Sequence, residues 1–155
     1  MRELATDRAG LEILHLGDCF LLLKSVPVGR VGFVVRGEVV ILPVNFAVDG
    51  QDVVFATGSG SKLSCVEVGH YVGFEADAYD VATKTGWSVV VNGFAEIVDS
   101  DEEAARLDGT GLTSWGAGSA QDRVWVRIRP TTVSGRRIPA DPADPADPAS
   151  PAGQQ

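Results

Sequence analysis

The chain of 155 residues has two cysteines, two histidines and one methionine, and each scarcity removes a class of function. Cys19 and Cys65 lie far apart with no C-x-x-C spacing, so they support neither a disulfide framework nor a zinc site, and no metal centre is expected. Neither His15 nor His70 stands in a nucleophile–base arrangement, and the G-x-S-x-G elbow is missing because Gly58-Ser59-Gly60 is one residue too tight. Basic residues are also short, 13 Lys and Arg against 21 Asp and Glu. With so little counterion-release energy to gain, a nucleic acid partner is not expected. Long apolar runs are absent: Cys19–Leu23 spans five residues, far below the roughly 20 that cross a bilayer. The opening MRELATDRAG holds no apolar signal core. No membrane is expected, and a reducing cytoplasm is the predicted compartment.

What is present divides the chain in two. Residues 139–155 read PADPADPADPASPAGQQ, with five of the eight prolines and no aromatic residue, base or large aliphatic. Proline at every third position favours extended, solvated polyproline II, so this is predicted to be a disordered tail and spacer. Residues 1–138 keep all 13 bases and 18 of the 21 acids, a net charge of −5, and form one predicted domain.

That domain reads as mostly β. Arg36-Gly37 and Asp49-Gly50 are turn signals between runs rich in Val, Ile and Phe, which predicts antiparallel strands over 33–35, 39–45 and 53–57. Runs at 71–76, 87–97 and 124–129 supply further strands. In the last, Val124, Val126 and Ile128 alternate with Trp125, Arg127 and Arg129, which predicts one packed face and one free for function. Three short helices are expected: 17–25, stopped by Pro27; 61–68; and one opening at Ser100-Asp-Glu-Glu103, which has capping-box spacing. The expected architecture is a six- to seven-stranded antiparallel barrel or sandwich with helices in its connections.

The segment Val53-Val-Phe-Ala-Thr-Gly-Ser-Gly-Ser-Lys62-Leu joins a strand to a helix through a small-residue loop. Glycines let backbone N–H groups approach an anion, and Ser59, Ser61 and Lys62 add donors and charge, the chemistry of a phosphate cradle. It is neither a Walker A loop, since Ser61 precedes the lysine, nor a dinucleotide fingerprint, since Leu63 stands where a third glycine would. A flexible turn with a solvated lysine would account for the same letters. Pro43-Val44-Asn45 interrupts an apolar strand, which marks an edge, a bulge or the approach of a ligand. Trp87 and Ser88 place an indole and a hydroxyl at a strand entrance, suited to a planar hydrogen-bonding ring or to the core. Arg136 and Arg137 are read as solvating a sheet edge.

Taken in order, Val28-Gly-Arg-Val-Gly-Phe33, Ile41-Leu-Pro-Val-Asn-Phe46, Asp49-Gly50, Gly60-Ser-Lys-Leu63, Val72-Gly-Phe-Glu75, Gly86-Trp-Ser-Val89 and Trp125-Val-Arg-Ile-Arg-Pro130 resemble the pyridoxamine 5'-phosphate oxidase-like family of split barrels. The resemblance implies a homodimer with two non-covalent FMN sites at the subunit interface, and an oxidoreductase acting on a small organic molecule. It assigns Ser61 and Lys62 to the flavin phosphate and Thr57 to the phosphate or ribityl chain. Val44 and Asn45 would line the ring, Trp87 and Ser88 would complete its wall, and Trp115 and Trp125 are further candidates from either subunit. No catalytic residue is assigned. The oxidase motif Arg-x-x-Leu-Leu-Lys is replaced by Val-Ile-Leu-Pro-Val-Asn, and the C-terminal motif is reduced to Ser134-Gly-Arg-Arg-Ile138. The sequence is therefore similar to the small relatives that include nitroimidazole-resistance proteins and deazaflavin-dependent reductases. Coenzyme F420 is the alternative cofactor, with Lys62 and Arg30 or Arg127 as its positive patch. A non-catalytic flavin or haem carrier or sensor, using His15 or His70, is a third reading.

Overall fold

The computed structural model describes residues 4–58, 70–112 and 123–139. Seven antiparallel strands form one sheet, β1 (Glu12–Ile13), β2 (Val28–Val35), β3 (Glu38–Asp49), β4 (Asp52–Gly58), β5 (Tyr71–Asp80), β6 (Thr85–Ile97) and β7 (Arg123–Ile138), with helices α1 (Leu16–Leu23) and α2 (Asp101–Asp108). The sheet runs β1-β7-β4-β3-β2-β5-β6, and β6 pairs again with β7, so six strands close a barrel and β1 is appended to it. The helix expected at 61–68 and the tail from residue 140 lie outside the described residues.

Local chemistry sets the turns. Arg36 and Gly37 both have positive φ, 51° and 83°, as a two-residue hairpin whose turn matches strand twist requires. Gly50 has φ 64° in the β3–β4 hairpin, where Asp49 opposes Asp52. The Ser100 hydroxyl accepts the Glu103 N–H at 3.4 Å and caps α2, as its spacing predicts. Alternate residues of the strands, among them Val31, Phe33, Val44, Phe46, Phe55, Phe74, Val89, Val91, Val126 and Ile128, fill the barrel. Cys19, Phe20 and Leu23 of α1 join the same core. Gly135 makes room for this helix: a Cβ there would lie 2.6 Å from Cys19 Sγ. Burial, and secondarily the Asp18 charge, pushes the Cys19 thiol above its ordinary range.

The expectation of a free face on β7 is wrong. Helix α2 covers the outer side of β4 and β7, where Leu107 packs with Val54, Ala56 and Trp125 in a second apolar cluster. Arg127, on that same face, is buried. Its Nη1 donates to Asp52 Oδ2 at 2.8 Å, its Nη2 donates to Asp49 Oδ2 at 2.7 Å, and Nη2 also meets Glu103. The Glu103 side chain is thus drawn to Arg127, and α2 is tied to the β3–β4 turn and to β7 at once. Arg106 adds a bidentate pair to Asp49 at 3.1 and 2.7 Å. Arg106 and then Arg127 hold the Asp49 carboxyl down to about 2.

Candidate functional site

Strands β3 and β4 pair only over Phe46–Asp49 and Asp52–Phe55, and then diverge. On the far side β3 stays paired with β2 from Glu38 to Asn45, through Pro43, which opposes Arg30. Residues 38–44 therefore face no strand on their second side among the described residues. The proline marks an open edge, and no bulge is recorded there. Val44 is buried with Phe46 in the barrel, while Asn45 lies half-buried on the outer side. Across the split, Thr57 is buried at the end of β4, its hydroxyl 3.4 Å from the Gly58 carbonyl oxygen. Ser61 and Lys62 lie outside the described residues, as does Trp115. Trp125 sits beneath α2, its indole N–H donating to Asp108 Oδ1 at 2.9 Å.

Trp87 and Ser88 occupy a second place. Ser88 opposes Asp77 of β5 on one side and Arg136 of β7 on the other, and Trp87 opposes Ala78 and Arg137. A cavity of about 240 Å³ is lined by both residues together with Asp77, Tyr79, Arg136 and Arg137. A neighbouring cavity of about 470 Å³ shares Tyr79, Trp87 and Arg137. Within one chain the structure brings Val44, Asn45 and Thr57 to the split and Trp87 with Ser88 to this cavity. Trp87 also packs against the core that holds Val44, while Ser88 stands on the opposite, outward side of β6. Strands β2 and β5 separate β3 from β6, three interstrand steps or about 14 Å along the sheet.

The outer surface between the two groups is polar and charged. Arg30 Nη1 lies 3.3 Å from Glu75 Oε2 and 3.3 Å from Asp77 Oδ1. Burial, and then the Asp77 charge, raises the Glu75 carboxyl above the usual carboxylate range, with Arg30 opposing. Neither Arg30 nor Arg127 is a spare cation. Arg136 and Arg137 do not simply solvate an edge either, since each meets a carboxylate of the N-terminal segment, Asp7 and Glu12 respectively. No cluster of His, Cys, Asp and Glu suited to a metal ion occurs among the described residues, and no described helix is long and apolar enough to cross a membrane.

Residues 16–137 match the family profile described as pyridoxamine 5'-phosphate oxidase. The chain belongs to this family. Its relatives include the Mycobacterium tuberculosis protein Rv0080, 37% identical over 144 residues that cover 88% of this chain and 93% of the relative. The solved structure of an FAD binding protein from Mycobacterium smegmatis superposes with a TM-score of 0.70 at 38% identity, covering 82% of this chain and 99% of that one. A candidate 5-nitroimidazole antibiotic resistance protein from Bacteroides thetaiotaomicron shares the fold, with a TM-score of 0.67 at 14% identity over 88% of this chain and 93% of its own.

Within the pyridoxamine 5'-phosphate oxidase family fold, the replaced oxidase motif falls on residues 40–45 of β3, along the open edge. The reduced C-terminal motif falls on the end of β7, at the cavity beside Trp87. Sequence reasoning missed Asp7, Glu12, Asp77 and Tyr79 as neighbours of the candidate residues. No local signal could have found the first two, which reach their arginines across 129 and 125 positions. The alternation of β5 could have suggested Asp77 and Tyr79, since Val72, Phe74 and Ala76 are the buried set.

Proposed function

We propose that the protein is a flavin-dependent oxidoreductase that holds FMN, or the FMN portion of FAD, non-covalently and works as a homodimer on a small organic molecule. The observation that carries this reading is the open β3 edge at Pro43–Val44. At Pro43 this edge leaves a backbone carbonyl acceptor without a β4 partner, beside Asn45 and Thr57, where β4 leads into the Gly-Ser-Gly-Ser-Lys loop. The M. smegmatis relative, named for FAD binding, supports a flavin as the ligand. A flavin supplies the hydride or electron transfer when bound. The chain's own work is to bind and place it. Val44 and Asn45 line the ring, Thr57 meets the ribityl chain or phosphate, Ser61 and Lys62 hold the phosphate, and Trp87 with Ser88 completes the wall.

The three interstrand steps between β3 and β6 along the sheet support pairing of two chains, each completing the other's site, with Trp115 as a further wall candidate, while Trp125 stays beneath α2. The outer sheet face supports it too. Val34, Val39, Ile41, Tyr71 and Phe94 are exposed there, around Gly32 and Gly73, which oppose each other. An apolar face of this kind on a small barrel is suited to burial against a second copy. Coenzyme F420 has less support, because Arg30 and Arg127 are already paired with carboxylates. A haem carrier would have to use the exposed His15 or His70.

Lys62→Ala is the test of the phosphate assignment. Loss of one charge-assisted contact is expected to weaken FMN by about tenfold or more, while riboflavin, which lacks the phosphate, binds both proteins equally. Equal FMN affinity in the two proteins would remove Lys62 from the site.

A further inference from the structure

The outward residues of β3, β2, β5 and β6 fall into four rows across the sheet, and the rows differ in chemistry. Val39, Val34, Tyr71 and Phe94 form an apolar row, all of them exposed. Gly32 and Gly73 oppose each other at the centre of the next, between Ile41 and Asn92. An added Cβ on these glycines would come no nearer than 3.8 and 3.5 Å to a neighbouring group, so this row lies low. The third row is charged at its centre, where Arg30 opposes Glu75 between Pro43 and Val90. Arg30 Nη1 is shared between Glu75 and Asp77 of the fourth row, which Asn45 and Ser88 end on either side.

A second copy stacked on this face is related to the first by a twofold axis lying between the two sheets, and the direction of that axis decides what meets what. An axis running across the strands inverts the order of the rows. Centred on the glycines, it would set Arg30 and Glu75 against the partner's Val34 and the partner's Tyr71, charge against apolar surface. Centred on the charged row, it would set Arg30 against the partner's Arg30. An axis running along the strands between β2 and β5 keeps each row against itself and exchanges the strands. Arg30 then meets the partner's Glu75, Val34 meets the partner's Tyr71, and Val39 meets the partner's Phe94. Of these arrangements only the last sets charge on opposite charge and apolar on apolar.

We propose that two copies associate through this face about an axis along β2 and β5, with Arg30 on the partner's Glu75 and the reciprocal ion pair across the axis. The proposal rests on the homodimer reading above and gives it a register. That register has a consequence for the site. Asn45 and Ser88 share a row but lie three interstrand steps apart on one chain. Across the axis β3 faces the partner's β6, and Asn45 comes opposite the partner's Ser88. Six strands close the barrel, so its outer face is convex. Strands β2 and β5 touch first, and β3 stands apart from the partner's β6 as one wall of a cleft, repeated on each side of the axis. Pro43 and Asn45 line one wall, and the partner's Ser88 and the partner's Val90 line the other, an apolar strip with hydrogen-bonding groups beside it, as a planar polar ring requires. The exchanged ion pairs lie at the polar margin of the contact, where they exclude wrong alignments more than they add affinity.

The experiment mixes two charge-reversed full chains, Arg30→Glu and Glu75→Arg, told apart by isotope label, and counts the dimers by native mass spectrometry. Either variant alone sets like charges together twice across the axis, and its own dimer is expected to be about tenfold weaker than that of the natural chain. In the mixed dimer both pairs across the axis are again of opposite charge, while the pair within each chain stays like-charged. The mixed dimer is therefore expected to exceed its statistical share by about tenfold. Pairing confined to one chain predicts no such preference. Lys24→Glu mixed with Glu102→Arg controls for net charge, since both residues are exposed elsewhere, at the end of α1 and on α2; its dimers should form in statistical proportion. Circular dichroism checks that each variant keeps its fold. A statistical mixture of the charge-reversed chains, a preference matched by the control, or no mixed dimer at all overturns the register and leaves the homodimer of the natural chain standing. A natural chain that is monomeric in the same measurement overturns both. Visible absorbance of the natural chain after incubation with FMN reports the cofactor separately, so a failed register with flavin retained leaves the flavin reading intact.

Discussion

Arg127→Ala is expected to destabilise the fold by about 3 kcal/mol, because it removes the buried cation that Asp52 depends on and leaves Asp49 and Glu103 to Arg106 alone. Arg127 is the hub of the cage. It joins Asp49 and Asp52 of the β3–β4 turn to Glu103 in the first turn of α2. It is buried against the cluster of Val54, Ala56, Leu107 and Trp125. Burial alone would disfavour its charge, and the hydrogen bonds it donates to Asp49 and Asp52 more than offset this. Removal of the guanidinium loosens α2 at its N-terminal end and leaves Arg106 on Asp49, and Asp108 with Trp125 and Arg123, to hold the rest. Urea unfolding monitored by circular dichroism measures the effect. Neutralising Asp49 and Asp52 in the Arg127→Ala background should recover part of the loss. Arg30→Ala, whose ion pairs are exposed, should cost less than about 1 kcal/mol. A cost for Arg127→Ala as small as that for Arg30→Ala would mean that the cage contributes nothing beyond an ordinary surface pair.

Gly93→Ala is expected to cost about 3 kcal/mol, the upper end for overpacking, because the obstruction is backbone. Asn92 opposes Thr132 and Gly93 opposes Pro130, so Thr131 is the extra residue of a bulge in β7. A Cβ on Gly93 would lie 2.1 Å from the Arg129 carbonyl oxygen and 3.0 Å from Pro130 Cα. No side-chain rotation relieves that contact. The strand must shift, and the Thr131 hydroxyl, which donates to the Asn92 carbonyl at 3.1 Å and lies 2.8 Å from Tyr71 Oη, shifts with it. The expected fall in melting temperature is about 6–12 °C. Gly32→Ala is the control: its nearest neighbour to an added Cβ is 3.8 Å away, and the change should stay within about 0.5 kcal/mol. Equal melting temperatures for the two variants would contradict the close approach of β6 and β7 at this bulge.

The strands and their turns could be read from the residues because the information is local. Val31, Phe33 and their partners alternate with outward residues, Gly37 and Gly50 sit where positive φ is needed, and Ser100 stands three residues before the N–H that it accepts. Pro43 told of an edge, and an edge is there. The charged groups were misread because their partners are remote. Arg127 and Arg129 look alike in sequence, yet Arg129 is exposed with Glu96 while Arg127 is buried by acids up to 78 positions away. Alternation reports which side chains share a face, and it is silent on whether a helix will arrive to cover that face. The same holds for β1, two residues long, whose pairing depends on Arg136 and Arg137 at the other end of the domain. Of the candidate site residues, Trp87 and Ser88 share a cavity, and Val44, Asn45 and Thr57 share the barrel split. That β2 and β5 lie between β3 and β6 follows from strand order, which local patterning does not contain.

The visible absorbance spectrum of the purified full chain tests the central claim most directly, recorded after incubation with excess FMN or FAD and removal of free cofactor by gel filtration. Retention of the two visible bands of oxidised flavin, in near-stoichiometric amount and at the elution volume of a dimer, is the expected result. A protein that elutes colourless after both incubations would contradict the flavin assignment of the barrel split.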